Sequence, residues 1–234
     1  MGTQPGYAEQ PGSERRIGLL GGTFDPIHYG HLAIAEEVRA AHELSEVVFI
    51  PAGHPPHKPG RVISSAADRL AMLRLALASN PAFRISSVDL ERPGPSYTVD
   101  TLRLLHKQWG PSIHLDFIIG GDSLEDLTSW YDPAGILARL THLVAVGRPG
   151  YIDPPGFLDH LERRLPGMGE RLLFVPVPQL EISSSDLRQR VAAGRPIKYQ
   201  TPEAVETYIL QRQLYQGMAP RRTEGDPETH DAAP

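Results

Sequence analysis

Apolar residues along this chain follow two alternating rhythms. Short continuous runs, IGLL (17–20), VVFIPA (47–52), LDFIIG (115–120), HLVAVG (142–147) and LLFVPV (172–177), have the length of strands and no polar face. That is the pattern of strands covered on both sides of a sheet. Helical spacing appears between them, first in HLAIAEEVRAAHEL (31–44) and next where Leu70, Leu73 and Leu77 recur behind the capping serines Ser64 and Ser65. It returns in TVDTLRLLHKQ (98–108), from about Ser184, and in PEAVETYILQRQLY (202–215), with Pro202 in its first turn. FRISSVDLE (83–91) reads as a further strand.

Strand and helix in repeated alternation predict an α/β protein with a parallel sheet and helices on both faces. Such sheets bind ligands in a crevice at the carboxyl ends of their strands. The chemically unusual residues fall just there. Gly21 to His31 follow the first strand, His54 to Lys58 the second, Gly121 and Asp122 follow LDFIIG, and Arg148 follows HLVAVG. One sheet edge thus gathers them, which predicts one site. The ends read differently: 1–14 and 217–234 are rich in proline, glycine and charge and lack apolar periodicity. They are expected to be disordered extensions around a single domain over 15–216, because they cannot bury enough surface to offset ordering entropy.

Composition narrows the function. A formal net charge of −5 over 234 residues argues against a nucleic-acid backbone as partner, which would call for a basic surface. With no cysteine, a disulfide framework, a thiolate nucleophile and cysteine-held metal are excluded. No signal peptide and no long apolar run are visible, so no membrane partner and a cytoplasmic enzyme are expected.

The densest chemistry lies in GGTFDPIHYGH (21–31). Gly21 and Gly22 permit close approach to the backbone, Thr23 offers a hydroxyl, and a helix starting near Gly30 would present free amides to an anion. His28 and His31, three positions apart, can face one side of that helix start. Two imidazoles there suit a phosphoryl group whose charge rises in the transition state. The bland alternatives are a structural turn with solvated histidines, or half of a metal site for which no carboxylate has suitable spacing.

GTFDPIHYGH resembles the phosphate-binding signature of the nucleotidylyltransferase superfamily. The resemblance implies a Rossmann-like fold and transfer of a nucleoside monophosphate from a triphosphate to a phosphate-bearing acceptor. It implies His28 and His31 as transition-state stabilisers, with Gly21, Gly22 and Thr23 lining the phosphate site. EISSSDLR (181–188) resembles the second signature, in which Ser183, Ser184, Ser185 and Arg188 clamp the phosphates of ATP, although a serine triplet before a helix is also an ordinary cap. PPHK (55–58), PSYT (95–98) and GGDSLEDLTSWYD (120–132) are similar to stretches of the bacterial nicotinate-nucleotide adenylyltransferases.

That family implies Trp130 stacked on a nicotinate ring, and backbone amides near Thr98 and Tyr131 on its carboxylate. It implies Gly120 and Asp122 on the adenosine ribose and His57 and Lys58 near the phosphates; Arg148, equally an ordinary surface arginine, joins the acceptor side. The expected reaction joins ATP and nicotinate mononucleotide by direct attack, with Mg²⁺ held by the triphosphate and no covalent enzyme intermediate. A different acceptor, a nucleotide-binding module without turnover and a histidine metalloenzyme are the competing readings. A homo-oligomer is left open.

Overall fold

The computed structural model describes residues 15–54, 63–110, 112–147, 156–178 and 180–217. The expected terminal extensions lie outside them except for Gly217. Six strands pair in parallel throughout: β1 Arg16–Gly22, β2 Glu46–Pro51, β3 Phe83–Ile85, β4 His114–Gly120, β5 His142–Gly147 and β6 Leu172–Pro176. Their spatial order is β3-β2-β1-β4-β5-β6. Parallel neighbours need a crossover between them, and helices supply it. These are α1 Tyr29–Ala41, α2 Ala66–Leu77, α3 Val88–Glu91, α4 Thr98–Trp109, α5 Gly121–Asp126, α6 Pro133–Leu137, α7 Phe157–Arg164, α8 Met168–Arg171, α9 Ser184–Ala192 and α10 Glu203–Gln211. Among the described residues no helix is long and apolar enough to cross a membrane.

The apolar runs divide between two cores because alternate strand residues face opposite ways. Leu20, Phe49, Ile118 and Val146 pack under α1, α2, α9 and α10, whereas Leu19, Ile50, Phe117 and Ile119 pack under α4 and α6. Each such side chain, fully buried, stabilises the fold by ~1.5–3 kcal/mol. Ser65 caps α2 as expected, accepting from Asp68 N at 3.1 Å. At the amino end of the sheet the buried Asp116 accepts from Arg16 at 2.7 Å and meets His142 Nδ1 at 3.0 Å, joining β1, β4 and β5.

Two expectations need correction. FRISSVDLE is a strand only over Phe83–Ile85, and Val88–Glu91 is helical. Pairing of edge strand β3 ends once Ser86 N has bonded Phe49 O, before β2 itself ends, and the chain then coils so that buried Asp89 accepts from Thr101 Oγ1 at 2.7 Å and Arg92 Nε at 3.0 Å. Pro202 stands just before α10, as its N-cap, and not inside the first turn; the ring's fixed φ suits either place.

Candidate active site at the carboxyl edge of the sheet

The strand order reverses between β1 and β4, so the crossovers leaving those strands run to opposite sides and a crevice opens where they part. From β1 the chain turns through Thr23 to Pro26 and enters α1. Phe24 holds a left-handed backbone, φ 51°, costly for a side-chain-bearing residue. Burial of its ring offsets that cost: the ring sits edge-on to His31, centroids 5.1 Å apart, and against Phe49 at 5.7 Å.

His28 is the N-cap of α1 and His31 lies in its first turn. Their rings stack with centroids 3.7 Å apart. His28 N donates to His31 Nδ1 at 3.3 Å, which assigns the proton of the neutral His31 ring to Nε2. Glycine between them suits the stack, since a Cβ on Gly30 would stand 3.0 Å from His28 Nδ1 and 3.1 Å from its Cε1 and would push the ring by a few tenths of an ångström. Burial lowers the His28 imidazole to about 4, so the ring is neutral at pH 7.

Helix α9 closes the other wall. Ser183 Oγ accepts from Asp186 N at 3.1 Å, capping the helix, and Ser184 Oγ donates to Pro26 O at 2.8 Å. Arg188 Nη1 donates to Asp25 O at 2.6 Å and Nη2 to Ser185 Oγ at 3.2 Å. These bonds fasten α9 to the turn after β1. They also distinguish three serines that look alike in sequence: the hydroxyl proton of Ser184 is committed to a carbonyl, whereas Ser183 and Ser185 act as acceptors in these bonds. The first amides of α9 have no intrahelical acceptor and point out of its end.

Between these walls lies a cavity of about 400 Å³, lined by Thr23, Asp25, His28, Gly30, His31, Ser183, Ser184, Ser185 and Arg188 with a few apolar residues. Two buried nitrogens on it, His28 Nδ1 and Arg188 Nε, have no hydrogen-bond partner among the described residues. Arg188 Nε is a charged donor, and leaving a buried donor unpaired costs ~1–3 kcal/mol, more when charged. An unpaired guanidinium nitrogen beside a helix N-terminus is an arrangement that can take an anion.

A second cavity, about 500 Å³, adjoins the first. Thr23, His31 and Ile34 line both, so His31 stands at the boundary. Gly21 and Gly22 from the end of β1, Gly120 from the end of β4, Thr98 at the first position of α4, Trp130 and Tyr131 line the second cavity above an apolar floor that includes Leu20, Ile50 and Phe117. Trp130 is half-buried with its ring edge-on to Phe117, centroids 6.4 Å apart. Tyr131 is 60% exposed and lies over Tyr97 at 4.6 Å. Ser96 Oγ accepts from Gly53 N at 2.9 Å and His54 N at 3.2 Å, tying the PSYT segment to the end of β2.

The structure therefore brings together His28, His31, Gly21, Gly22, Thr23, Gly30, Gly120, Ser183, Ser184, Ser185, Arg188, Thr98, Trp130 and Tyr131 around two adjoining cavities. Asp122 is the second residue of α5. His57, Lys58 and Arg148 lie outside the described residues. Sequence reasoning passed over Phe24, Asp25, Ile34 and Tyr97. An acid inside the glycine turn GGTFDP was a visible signal for Asp25, and helical spacing from His31 was one for Ile34.

A Rossmann-like sheet with one cavity at its switch point and a second beside it, bounded by stacked imidazoles, is the architecture of the nucleotidylyltransferase class. In agreement, residues 19–190 match the cytidylyltransferase-like family. The chain is 53% identical over 204 residues to a probable nicotinate-nucleotide adenylyltransferase of Roseiflexus sp. (strain RS-1), covering 87% of this chain and 99% of that one. It is 50% identical over 201 residues to a probable nicotinate-nucleotide adenylyltransferase of Thermomicrobium roseum, covering 86% and 91%. Among solved structures, the fold resembles Plasmodium falciparum nicotinic acid mononucleotide adenylyltransferase complexed with NaAD, with a TM-score of 0.68 at 18% identity over 86% of this chain and 97% of that one. The chain belongs to the nicotinate-nucleotide adenylyltransferases of the cytidylyltransferase-like family.

Proposed function

We propose that this enzyme transfers the adenylyl group of ATP to nicotinate mononucleotide, giving nicotinate adenine dinucleotide and pyrophosphate, and that the two cavities divide the substrates between them. The carrying observation is the position of His31 on both cavities, the first of which is also lined by Arg188 with its unpaired buried Nε. The triphosphate belongs in the first cavity, on His28 Nδ1, the hydroxyls of Ser183 and Ser185, the free amides of α9 and Arg188. Ser184 serves there by holding α9 to the turn. The pyridine ring belongs in the second, beside Trp130, with its carboxylate at the first amide of α4 near Thr98 and the backbone near Tyr131. An electron-poor ring on an indole face combines stacking with cation–π attraction. Gly120 and Asp122 remain assigned to the adenosine ribose, His57 and Lys58 to the phosphates, and Arg148 to the acceptor.

In the reaction, a 5′-phosphate oxygen of the acceptor attacks the α-phosphorus of ATP in line. The bond from that phosphorus to the bridging oxygen breaks, and the electron pair leaves with pyrophosphate. His31 Nε2–H, held in orientation by the His28 amide, donates to the non-bridging oxygens as their charge rises. His28 enters neutral and accommodates charge only once the anion is beside it. No nucleophile with its own base is presented, so positioning and charge stabilisation carry the rate. Among the described residues no group of three or more histidines or carboxylates could hold a metal ion. Mg²⁺ bound through the triphosphate oxygens would supply charge neutralisation for the departing pyrophosphate.

The test is pyrophosphate release from Mg²⁺-ATP with nicotinate mononucleotide, nicotinamide mononucleotide or phosphopantetheine as acceptor. Preference for the nicotinate compound is expected. Equal rates with the amide would remove the carboxylate contact, and no release with any acceptor would overturn the reaction.

A further inference from the structure

Helix α10 lies along α2, where Tyr208 donates to Asp68 at 2.9 Å and Arg212 meets the same carboxylate at 3.4 Å. Past the helix the backbone turns through left-handed conformations at Gln213, φ 52°, and Tyr215, φ 67°. This drives the Tyr215 ring inward until it is only 8% exposed. Its hydroxyl donates to Asp25 Oδ1 at 2.8 Å, across 190 positions of sequence. The other carboxylate oxygen of Asp25 accepts from Ser64 N at 3.2 Å. Arg69, also buried, donates to Thr23 O at 2.9 Å and Ser64 O at 3.2 Å, and its positive charge attracts the Asp25 carboxylate.

Asp25 itself is 2% exposed and lines the cavity that holds the orphaned nitrogens of His28 and Arg188. A carboxylate there is unfavourable for an anion site, because water screens it poorly and it repels phosphate. Its two oxygens are engaged by Tyr215 and Ser64, neither of which lines the cavity. Burial, the charge of Asp25 and the hydrogen bond hold the Tyr215 hydroxyl far above the usual phenol range, so it remains a donor.

We propose that Tyr215 is a positioning residue for nucleotide binding: its hydroxyl holds the Asp25 carboxylate away from the triphosphate, so the turn after α10 sets how tightly ATP is held. The proposal rests on reading the first cavity as the triphosphate site. Tyr215→Phe removes one hydrogen bond to a buried charge and leaves the ring in place. It is expected to raise the KM for ATP about tenfold while the KM for nicotinate mononucleotide stays within about twofold. Adding Asp25→Asn to that variant removes the repulsion and is expected to return the ATP KM to within about threefold of the original, a rescue that a purely structural tyrosine does not predict.

An unchanged ATP KM in Tyr215→Phe, an equal rise for both substrates, or no rescue by Asp25→Asn would overturn the proposal. Should the single variant fail to fold, the pair decides: folded with near-original ATP KM it supports the role, while misfolding or loss of ATP binding assigns Tyr215 to the core alone. An unsubstituted enzyme that releases no pyrophosphate from ATP and nicotinate mononucleotide would strike the reading of the cavity instead.

Discussion

His28 is 6% exposed, and burial lowers its imidazole from an ordinary 6.5 to about 4. In the unfolded chain the same ring takes up a proton near pH 6.5. Between about pH 6.5 and about pH 4, the unfolded state thus binds more protons than the folded state, and stability falls as pH falls. Above that window the ring is neutral in both states, and below it the loss is complete. Each pH unit within it costs ~1.4 kcal/mol, so the full window costs on the order of 3 kcal/mol. That is a large share of the ~5–15 kcal/mol that holds a typical domain together. Urea unfolding, followed by tryptophan fluorescence at about pH 7.5 and about pH 4.5, would measure it in the enzyme and in His28→Asn. Carboxylate titrations common to both proteins cancel in the comparison. The unsubstituted enzyme is expected to lose ~2–3 kcal/mol more than the variant across that interval. Equal losses in the two proteins would refute the claim that His28 is buried neutral.

Three further perturbations test other links. His31→Ala should lower kcat about a hundredfold or more while the circular dichroism spectrum stays that of a folded protein, since the donor to the developing charge is lost; near-normal turnover would remove His31 from the mechanism. A methyl on Gly53 would overlap the Asp89 carbonyl oxygen, which is backbone and cannot swing away. Gly53→Ala is therefore expected to cost ~1–3 kcal/mol in urea unfolding, and to raise the acceptor KM, because Ser96 fastens Gly53 to the PSYT segment. Trp130→Ala should weaken nicotinate mononucleotide about tenfold by calorimetric titration and leave ATP nearly unchanged; equal effects on both would withdraw the stacking assignment.

The central strands were legible because parallel strands covered on both faces are nearly continuous apolar runs, and these runs are too short for helices. Edge strand β3 was overread for the complementary reason: it pairs with one neighbour over three residues, and nothing in Ser86 or Ser87 announces where pairing stops. The histidine stack was legible in part, since a spacing of three places both rings on one side of a helix start. Its closeness was not, because it depends on how the Gly30 backbone meets the His28 ring. The left-handed Phe24 and the commitment of the Ser184 hydroxyl to Pro26 left no mark in the local pattern.

The alternation of strand and helix, the glycine turn with its two imidazoles, and the serine-capped helix with its arginine can all be read along the chain. These are local properties, fixed by backbone periodicity and by what each side chain can donate or accept. Tertiary structure alone decided that Arg188 grips the backbone of Asp25, that Tyr215 reaches Asp25 from the far end of the chain, and that His31 borders two cavities at once. Those partners are chosen by which loops the crossovers carry to the switch point between β1 and β4. That choice follows from packing the whole sheet, which no single stretch of sequence contains.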